Sequence, residues 1–335
     1  MEVIYHDTSR IQEVEDFIQA WHNEGDHIYC QSSGSTGKPK TLALAKTDMR
    51  TSARITLQHL NIPSGAKAGL ALSTETIAGK MMVVRALVGD LTLHVLPIKT
   101  EPLLNLALSL DFIAMVPLQA YQSIKSASPT LRSATVLVGG APLTRVQFDA
   151  IQAFFQNAYH TYGMTETLSH VALRAFSEGH DAPFCALPGF TFSQKEEQLV
   201  IHTNDLSFGT FETSDIVTLI DPQRFHFVGR KDFIINVNGI KVNPETVEEA
   251  LSAFIRSSFV VCPYHDEKYG QSLGIVFEEE IPDGIRVILH GSPLPTFYIP
   301  RKFQVHSTFI KTNSGKLDRR SLWEATDNYE WKPLL

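Results

Sequence analysis

Residues 135–143 read TVLVGGAPL, an apolar run of strand type that ends in two glycines. A second apolar run, Gly69–Leu72, has the same character, and both runs lie between longer stretches with helical spacing. Buried parallel strands read as nearly continuous apolar runs, because helices cover both faces of their sheet. The first two thirds of the chain therefore predict an α/β domain with a mixed, largely parallel sheet.

The pattern changes from about Glu197. The runs QLVIHT, DIVTLI and FHFVGR are short and alternate between apolar and polar residues, which is typical of β-hairpins or of a small barrel-like part. A strand then ends in a charged turn at Gly229–Asp232. We expect the domain boundary there, with a large N-terminal domain over residues 1–229 and a small α+β C-terminal domain over residues 230–335.

Two local signals support a separate C-terminal domain. Asn238-Gly239 favours the positive φ angles of a two-residue hairpin turn. The stretch NPETVEEALSAFI predicts a helix with Asn243 as its N-cap and Pro244 at its first position. Its expected buried stripe is Val247, Leu251, Phe254 and Ile255.

Composition excludes some classes of protein. The 335 residues are enough for two domains, and 43% hydrophobic residues with 19% charged residues is ordinary for a globular chain. A net charge of -7 does not favour nucleic acid as a partner, although a local basic patch stays possible. Cys30, Cys185 and Cys262 form no CxxC pair, so we expect small packing residues in a reducing compartment.

We expect neither a signal peptide nor a membrane span. The start, MEVIYHDTSR, lacks the charged and apolar regions of a signal peptide. The most apolar window, Leu103–Leu118, is interrupted by Asn105 and Asp111 and is too short for a membrane span. We therefore expect a soluble, cytoplasmic protein; its oligomeric state is not indicated.

The strongest chemical signal is Ser32–Lys40, SSGSTGKPK. Its glycines, hydroxyl groups and lysines could all face a polyphosphate. It is not a P-loop, because only two residues separate Gly34 from Gly37 and Pro39 follows Lys38. Taken alone, such a cluster is more often a solvated turn.

Further motifs follow along the chain. TYGMTE, residues 161–166, combines an aromatic ring, a hydroxyl and a carboxylate that could stack a base, contact a phosphate and hold Mg²⁺. Gly139 and Gly140 would let a flat ring approach the carboxyl edge of the sheet. TSD at residues 213–215 and GRKD at residues 229–232 offer a carboxylate and a guanidinium for ribose hydroxyls.

The last motif is KTNSGKLDR, residues 311–319, which holds a lysine in a glycine-containing turn. Together and in this order, the motifs resemble those of the acyl-adenylate-forming superfamily, which includes acyl-CoA synthetases, luciferases and peptide-synthetase adenylation domains. The resemblance runs from about residue 28 to residue 320. One departure is that the family's Gly-Asp turn is Ser214-Asp215 here.

The resemblance implies a role for each motif residue. The loop implied to close over the ATP β- and γ-phosphates comprises Ser33, Gly34, Ser35, Thr36, Gly37, Lys38 and Lys40. The implied adenine and ribose contacts are Gly139, Gly140, Ala141, Tyr162, Gly163, Asp215 and Arg230. The implied catalytic residues are Thr165 at the α-phosphate, Glu166 at Mg²⁺ and Lys316 in adenylation. Asp232 would be a hinge and Gly239 would line the thiol channel.

Because the glycine-rich loop begins at residue 32, this compact form resembles most the o-succinylbenzoate-CoA ligases of menaquinone biosynthesis. That likeness implies ATP, Mg²⁺, coenzyme A and a small carboxylic acid as reactants or cofactors. Two alternatives stay open: loading of another acid onto CoA or a carrier-protein thiol, and a nucleotide-binding homologue without turnover.

An acid with two carboxylates needs a cation or several donors for the carboxylate that does not react. The candidates for this acyl pocket are Thr76, Lys80, Arg85, Ser169 and His170. Thr76 stands where many acyl-CoA synthetases have a histidine. Lys80 and Arg85 could instead extend to solvent, and His170 could be a hydrogen-bonded core residue.

Overall fold

The computed structural model describes residues 1–31, 40–104, 108–126, 129–141, 143–266, 270–310 and 317–334. The α-helices are α1 Ile11–His22, α2 Lys46–His59, α3 Ile77–Gly89, α4 Pro117–Ser126, α5 Arg145–Phe154, α6 Pro244–Ser252, α7 Ile285–Gly291 and α8 Arg319–Ala325. Within the described ranges, no helix is both long enough and apolar enough to cross a bilayer.

The strands before the middle of the chain are β1 Glu2–Tyr5, β2 His27–Gln31, β3 Thr41–Ala45, β4 Lys67–Leu70, β5 Thr92–Val95, β6 Phe112–Met115, β7 Thr135–Val138, β8 Asn157–Gly163, β9 His170–Ala175 and β10 Phe184–Ala186. The later strands are β11 Phe190–Lys195, β12 Gln198–Thr203, β13 Thr210–Asp221, β14 Arg224–Arg230, β15 Ile235–Val237, β16 Ile240–Val242, β17 Phe259–Asp266, β18 Gly270–Glu278, β19 Lys302–His306 and β20 Lys332–Pro333.

The contacts divide the chain into two compact units. The larger unit contains the described residues up to Thr213 together with Thr218–Phe227. The smaller unit contains Ser214–Val217 and the described residues from Val228 onward. The division at Val228 lies beside the turn where we expected a boundary, but the smaller unit also takes four residues from within β13.

A 12-stranded sheet runs in the order β1-β5-β4-β6-β7-β8-β9-β10-β14-β13-β12-β11. The pairs from β1 to β8 are parallel, and the pair β8·β9 starts the antiparallel part. The mixed sheet and its helices confirm the α/β fold class. The antiparallel strands from β9 to β11 extend this sheet in the region where we expected a barrel-like part.

The buried Arg10 joins the ends of two parallel strands of the larger unit. Its guanidinium donates to the carbonyl oxygens of Leu70, Leu72 and Leu96 at 2.7–2.8 Å. Glu13 pairs with the same guanidinium at 3.1 Å and also accepts hydrogen bonds from the backbone and hydroxyl of Thr74. The N-terminal residues therefore hold the segment that leads into α3.

In the smaller unit, the strands run in the order β16-β15-β18-β19-β20, and β17 pairs with β18. Asn238 and Gly239 have φ angles of 50° and 83°, which confirms the hairpin turn between β15 and β16. The Asn243 side chain accepts the Glu245 N–H at 3.0 Å, which confirms the predicted N-cap of α6. Phe254 was wrongly expected in the core: it is 50% exposed because α6 ends two residues before it.

Candidate active site

Gly139 follows the buried strand β7 at the carboxyl edge of the sheet. A Cβ on Gly139 would lie 1.9 Å from the Thr161 Oγ1 of β8. The space that we expected to admit a flat ring is therefore occupied, on the Cβ side of Gly139, by a threonine side chain that sequence reasoning missed. Gly140 has a φ of 79° and is exposed, and Ala141 is half-buried.

The loop between β8 and β9 is tied to itself. Thr167 Oγ1 accepts the Met164 N–H at 3.1 Å and lies 2.9 Å from the Ser169 carbonyl oxygen, a distance at which it can donate. Leu168 adopts a left-handed φ of 67°. Any side chain on Gly163 would collide with the backbone, because its Cβ would lie 2.2 Å from the Ser169 oxygen. The TYGMTE motif thus forms one compact loop.

This loop presents the two residues implied for phosphate and metal. Thr165 is 9% exposed and Glu166 is half-buried. Glu166 forms no hydrogen bond or ion pair with any residue that the structure describes. Mg²⁺ prefers oxygen ligands and is usually held by one or two carboxylates together with substrate phosphates. The carboxylate of Glu166 fits that requirement, and no cluster of three metal-ligating side chains occurs in the described ranges.

The Tyr162 ring is held rigidly by aromatic neighbours. Its centroid lies 5.7 Å from that of Phe184, 5.0 Å from Phe225 and 6.2 Å from Phe227. Only 8% of the residue is exposed. The candidate adenine contact is therefore a fixed wall of the larger unit.

In the smaller unit, the structure brings together two residues implied for ribose. Arg230 Nε lies 3.9 Å from Asp215 Oδ1, and Asp215 is 7% exposed. The Arg230 Nη2 also donates to the carboxylate of Asp232, the hinge candidate, at 3.1 Å. Gly239, the candidate for the thiol channel, is exposed at the tip of its hairpin. One guanidinium thus joins both carboxylates.

Several predicted residues lie outside the described ranges. They are Ser33, Gly34, Ser35, Thr36, Gly37, Lys38 and the catalytic candidate Lys316. Lys40 is described and is exposed directly before β3.

Two acyl-pocket candidates are engaged in local structure. Thr76 is the N-cap of α3: its hydroxyl oxygen accepts the Gly79 N–H at 3.2 Å. The Lys80 ammonium donates to the carbonyl oxygen of Thr74 and lies 5.5 Å from the centroid of the Phe17 ring. Partial burial lowers the pKa of Lys80.

The other three candidates come together in one cluster. Arg85 is only 2% exposed, so the expectation that it extends to solvent is wrong. Its Nη2 donates to Ser169 Oγ at 2.5 Å, and that oxygen lies 3.3 Å from Nδ1 of His170. The other ring nitrogen of His170 lies 3.1 Å from Thr56 Oγ1, a partner that sequence reasoning missed. Burial and the nearby Arg85 charge hold the pKa of His170 well below its usual value.

The cysteines pack as expected. Cys30 and Cys262 are 3% and 0% exposed, and Cys185 is half-buried. Burial raises the pKa of all three thiols, which disfavours the reactive thiolate.

The comparison with known families decides the class of this site. The model of the AMP-binding enzyme family matches residues 8–191, more than half of the chain. This chain belongs to the AMP-binding enzyme family. The matched region includes the β7 and β8 edge, with Gly139, the Gly163 loop and Glu166. Membership confirms the resemblance to the acyl-adenylate-forming ligases.

Three proteins to which this chain is similar show how varied the family is. The acyl-CoA synthetase (AMP-forming)/AMP-acid ligase II-like protein from Dyadobacter fermentans is 31% identical, with a TM-score of 0.59 over 93% of each chain. The o-succinylbenzoate coenzyme A synthetase MenE from Bacillus subtilis, solved with ATP and magnesium ion, shares the fold. Its TM-score is 0.77 at 19% identity, over 88% of this chain and 69% of its own.

The third relative is the D-alanine–D-alanyl carrier protein ligase of Staphylococcus haemolyticus. It is 29% identical over 50% of this chain and 41% of its own length. The AMP-binding enzyme therefore matches less than half of that curated relative.

Proposed function

We propose that this AMP-binding enzyme is an ATP- and Mg²⁺-dependent acid–CoA ligase, with o-succinylbenzoate as its acid. A carboxylate oxygen of the acid attacks the α-phosphorus of ATP, and pyrophosphate leaves. The CoA thiol then attacks the carbonyl carbon of the acyl-adenylate, and AMP leaves with the electron pair of the broken C–O bond. The product is an acyl-CoA thioester.

The observation that carries the proposal is the Gly163–His170 loop. Near its start the loop places the half-buried carboxylate of Glu166 beside Thr165. At its other end Ser169 contacts the buried guanidinium of Arg85. One short loop thus offers groups suited to phosphate and metal beside groups suited to an anionic acid.

The larger unit would bind the nucleotide and orient it. The Thr165 hydroxyl would donate to an α-phosphate oxygen, and the fixed Tyr162 ring would support the adenine. Glu166 would hold Mg²⁺. When bound, this ion supplies positive charge that offsets the negative charge of the phosphates. Stabilising the charge that gathers on the phosphates is usually the largest part of such catalysis, and Lys316 would donate to those oxygens.

The smaller unit would bind the ribose, and it would also move between the two half-reactions. The Asp215 carboxylate would accept ribose hydroxyls while Arg230 keeps it oriented. We propose that residues 230–335 turn about Asp232 between the two half-reactions. That motion would withdraw Lys316 after adenylation and would present the hairpin at Gly239 to the thiol. The same motion would limit the access of water to the anhydride.

A carrier-protein pantetheine is the second candidate for the thiol. The observation that favours it is the 29% identity to a D-alanyl carrier protein ligase. The test supplies pre-formed acyl-adenylate with either free CoA or phosphopantetheinylated carrier protein, and measures thioester by mass spectrometry. Thioester on CoA alone supports the first proposal; thioester on the carrier alone replaces it.

Adenylation is tested by acid-dependent exchange of labelled pyrophosphate into ATP. We expect exchange with o-succinylbenzoate, and Lys316→Ala should lower its rate by about 100-fold or more because a phosphate-directed cation is lost. Lys332→Ala, which removes an exposed lysine of β20, is the control and should retain the rate. Thioester formation from supplied acyl-adenylate should survive in Lys316→Ala. No exchange with o-succinylbenzoate or with a panel of other acids would refute the proposed function.

A further inference from the structure

The chain is described on both sides of the segment that contains the candidate catalytic lysine. This lysine segment, residues 311–316, lies outside the described ranges, between Ile310 and Leu317. The Asp318 N–H donates to the carbonyl oxygen of Ile310 at 2.8 Å. Phe309 lies in a buried apolar cluster, and Leu317 packs against the same cluster. The two ends of the lysine segment are therefore held together by a backbone hydrogen bond and by a shared core.

A glutamate of β18 binds the chain just before the lysine segment. The Phe309 N–H donates to Glu278 Oε1 at 2.8 Å, and the Thr308 hydroxyl donates to the same oxygen at 3.4 Å. Glu278 pairs with His306 of β19 in the sheet, so its backbone belongs to the core of the smaller unit. Hydrogen bonds to a charged acceptor are about twice as strong as those between neutral groups. This end of the segment is thus bound to a rigid strand by a strong contact.

A second glutamate binds the chain just after the lysine segment. Arg319 donates to both carboxylate oxygens of Glu248 on α6, at 2.8 and 2.7 Å, and to the carbonyl oxygen of Val261 at 3.3 Å. Arg319 is only 8% exposed. The preceding residue, Asp318, caps α8 by accepting the Ser321 N–H at 3.0 Å. A helix, a strand and a helix cap therefore fix the other end.

A cation that stabilises charge on phosphate oxygens has to be positioned before the reaction occurs. Catalytic groups must be held to within about 0.5 Å of their productive geometry, and a misplacement of about 1 Å can cost about 100-fold in rate. The ammonium of a lysine stands on a flexible four-carbon stem, which adds freedom of its own. The backbone that carries such a lysine therefore needs firm anchors on both sides.

We propose that Glu278 and Glu248 are positioning residues for adenylation, which act on Lys316 by holding the two ends of its segment. Glu278 acts through the backbone of Phe309, and Glu248 acts through Arg319. The inference rests on the proposed function, because it needs Lys316 to act in adenylation. The thioester step should not depend on the two glutamates in this way, since Lys316 would be withdrawn during that step.

The first test measures the two half-reactions separately in Glu278→Ala. We expect pyrophosphate exchange with o-succinylbenzoate to fall by about 10- to 100-fold in kcat, with the KM values for ATP and for the acid within about twofold of wild type. Thioester formation from supplied acyl-adenylate and CoA should stay within about twofold of wild type. Glu248→Gln should show the same selective loss when both steps are measured where the variant is folded.

This comparison distinguishes positioning from general damage to the fold. Partial unfolding of the smaller unit would slow both steps, because that unit also contains the Gly239 hairpin. Glu278→Gln keeps an oxygen that can accept the Phe309 N–H, so it should retain at least about a third of the wild-type exchange rate. Glu280→Ala removes an exposed carboxylate close to Glu278 and should leave both steps unchanged.

If either glutamate can be replaced with wild-type exchange, or if its replacement slows both half-reactions equally, the positioning role of that glutamate is overturned. The same holds if Glu278→Gln loses as much exchange activity as Glu278→Ala.

A second test does not need turnover. In Glu278→Ala, the N–H groups of Phe309 and Asp318 should exchange with deuterium about 10-fold faster than in wild type, because one end of the segment is released. Glu280→Ala should leave both rates unchanged. Unchanged rates in Glu278→Ala would overturn the anchoring itself, whether or not the protein is a ligase.

The two tests together separate this inference from the proposed function. Faster deuterium exchange with full adenylation in Glu278→Ala would refute the positioning role and leave the ligase intact. Faster deuterium exchange in a protein whose wild type exchanges no pyrophosphate with any acid would refute the ligase, and with it the role of the two glutamates in adenylation.

Discussion

His170 begins β9 with both ring nitrogens within hydrogen-bond distance of hydroxyl groups. Its pKa is well below 6.5 in the folded state, so it stays neutral where an unfolded chain takes up a proton. The free energy of unfolding should therefore fall as the pH falls below about 6.5, with a contribution from this residue of about 1.4 kcal/mol per pH unit. Above pH 7 the residue should contribute no pH dependence.

His170→Gln removes the titrating group while it keeps hydrogen-bonding capacity. Urea denaturation at pH 7.5, 6.5 and 5.5 should show a shallower decline in stability than for wild type. His22→Gln replaces an exposed histidine at the end of α1 and should leave the slope unchanged. Parallel curves for wild type and His170→Gln would show that the folded protein protonates this ring as readily as the unfolded chain does, which would contradict the lowered pKa.

Individual residue roles could be predicted from the sequence only in part. Their positions beside the motifs made Arg85, Ser169 and His170 candidates. The burial of Arg85 could not be predicted, because a helical pattern does not say which long cation reaches solvent. The contact between Thr161 and Gly139 depends on the register of two parallel strands that lie about twenty residues apart in the chain. Neither signal is local, so neither could be found without the fold.

Three elements of the smaller unit meet at one buried ion pair. Arg319 of α8 donates to both carboxylate oxygens of Glu248 on α6, at 2.8 and 2.7 Å. The same carboxylate accepts the Val261 N–H of β17 at 2.7 Å. Arg319 is 8% exposed, so little water screens the pair.

Glu248→Gln should destabilise the smaller unit by about 3 kcal/mol, because it leaves a buried guanidinium without its main counter-ion. Glu245 lies 4.0 Å from Arg319 and still offsets part of its charge. The loss in the free energy of unfolding should therefore be at the lower end of what a broken buried ion pair costs. The measurement is the unfolding midpoint in guanidinium chloride. Asp149→Asn breaks the exposed Arg145–Asp149 pair of α5 and should have little effect. Equal effects of both substitutions would contradict the structural role of the buried pair.

The ends of elements could be predicted where residues with a strong local preference mark them. The Asn238-Gly239 turn and the Asn243 cap were predicted correctly because each depends on residues within one turn of the chain. The buried stripe of α6 was correct for Val247, Leu251 and Ile255 but failed at Phe254. Phe254 and Ile255 both follow the last residue of α6, so the helical period no longer decides which of the two side chains is buried.

At the scale of the whole molecule, each unit has a core of its own. In the larger unit, Ile113 and Val136 of the central strands pack in one cluster with Ile151 of α5. In the smaller unit, Leu251 of α6 packs with Ile275 of β18. All five side chains are fully buried.

A cavity in either core should therefore act within its own unit. Leu251→Ala should cost about 2–4 kcal/mol and speed amide hydrogen exchange in β18. Ile151→Ala should cost a similar amount and speed exchange in β6 and β7. The two variants serve as controls for each other in one mass-spectrometric experiment. Equal acceleration of β6 and β18 by Leu251→Ala would show that the units open together.

The α/β class and the ordered motifs were readable from the sequence because both depend on composition and on linear order. The division of the chain into two units was harder to predict from the sequence. Ser214–Val217 belong to the smaller unit although they lie in a strand that starts in the larger one. A single boundary in the sequence cannot describe a segment of one unit that lies between two segments of the other. This segment contains Asp215.

The arginine near the N-terminus has a practical consequence for anyone who shortens this protein. Deleting the first ten residues would remove the guanidinium that satisfies the carbonyl oxygens of Leu70, Leu72 and Leu96, and would release the turn that caps the helix of Arg85. A trimmed version would thus leave three buried carbonyl oxygens without their donor, and we expect it to be less stable at the start of that helix. Expression boundaries and affinity tags belong ahead of that residue, not after it.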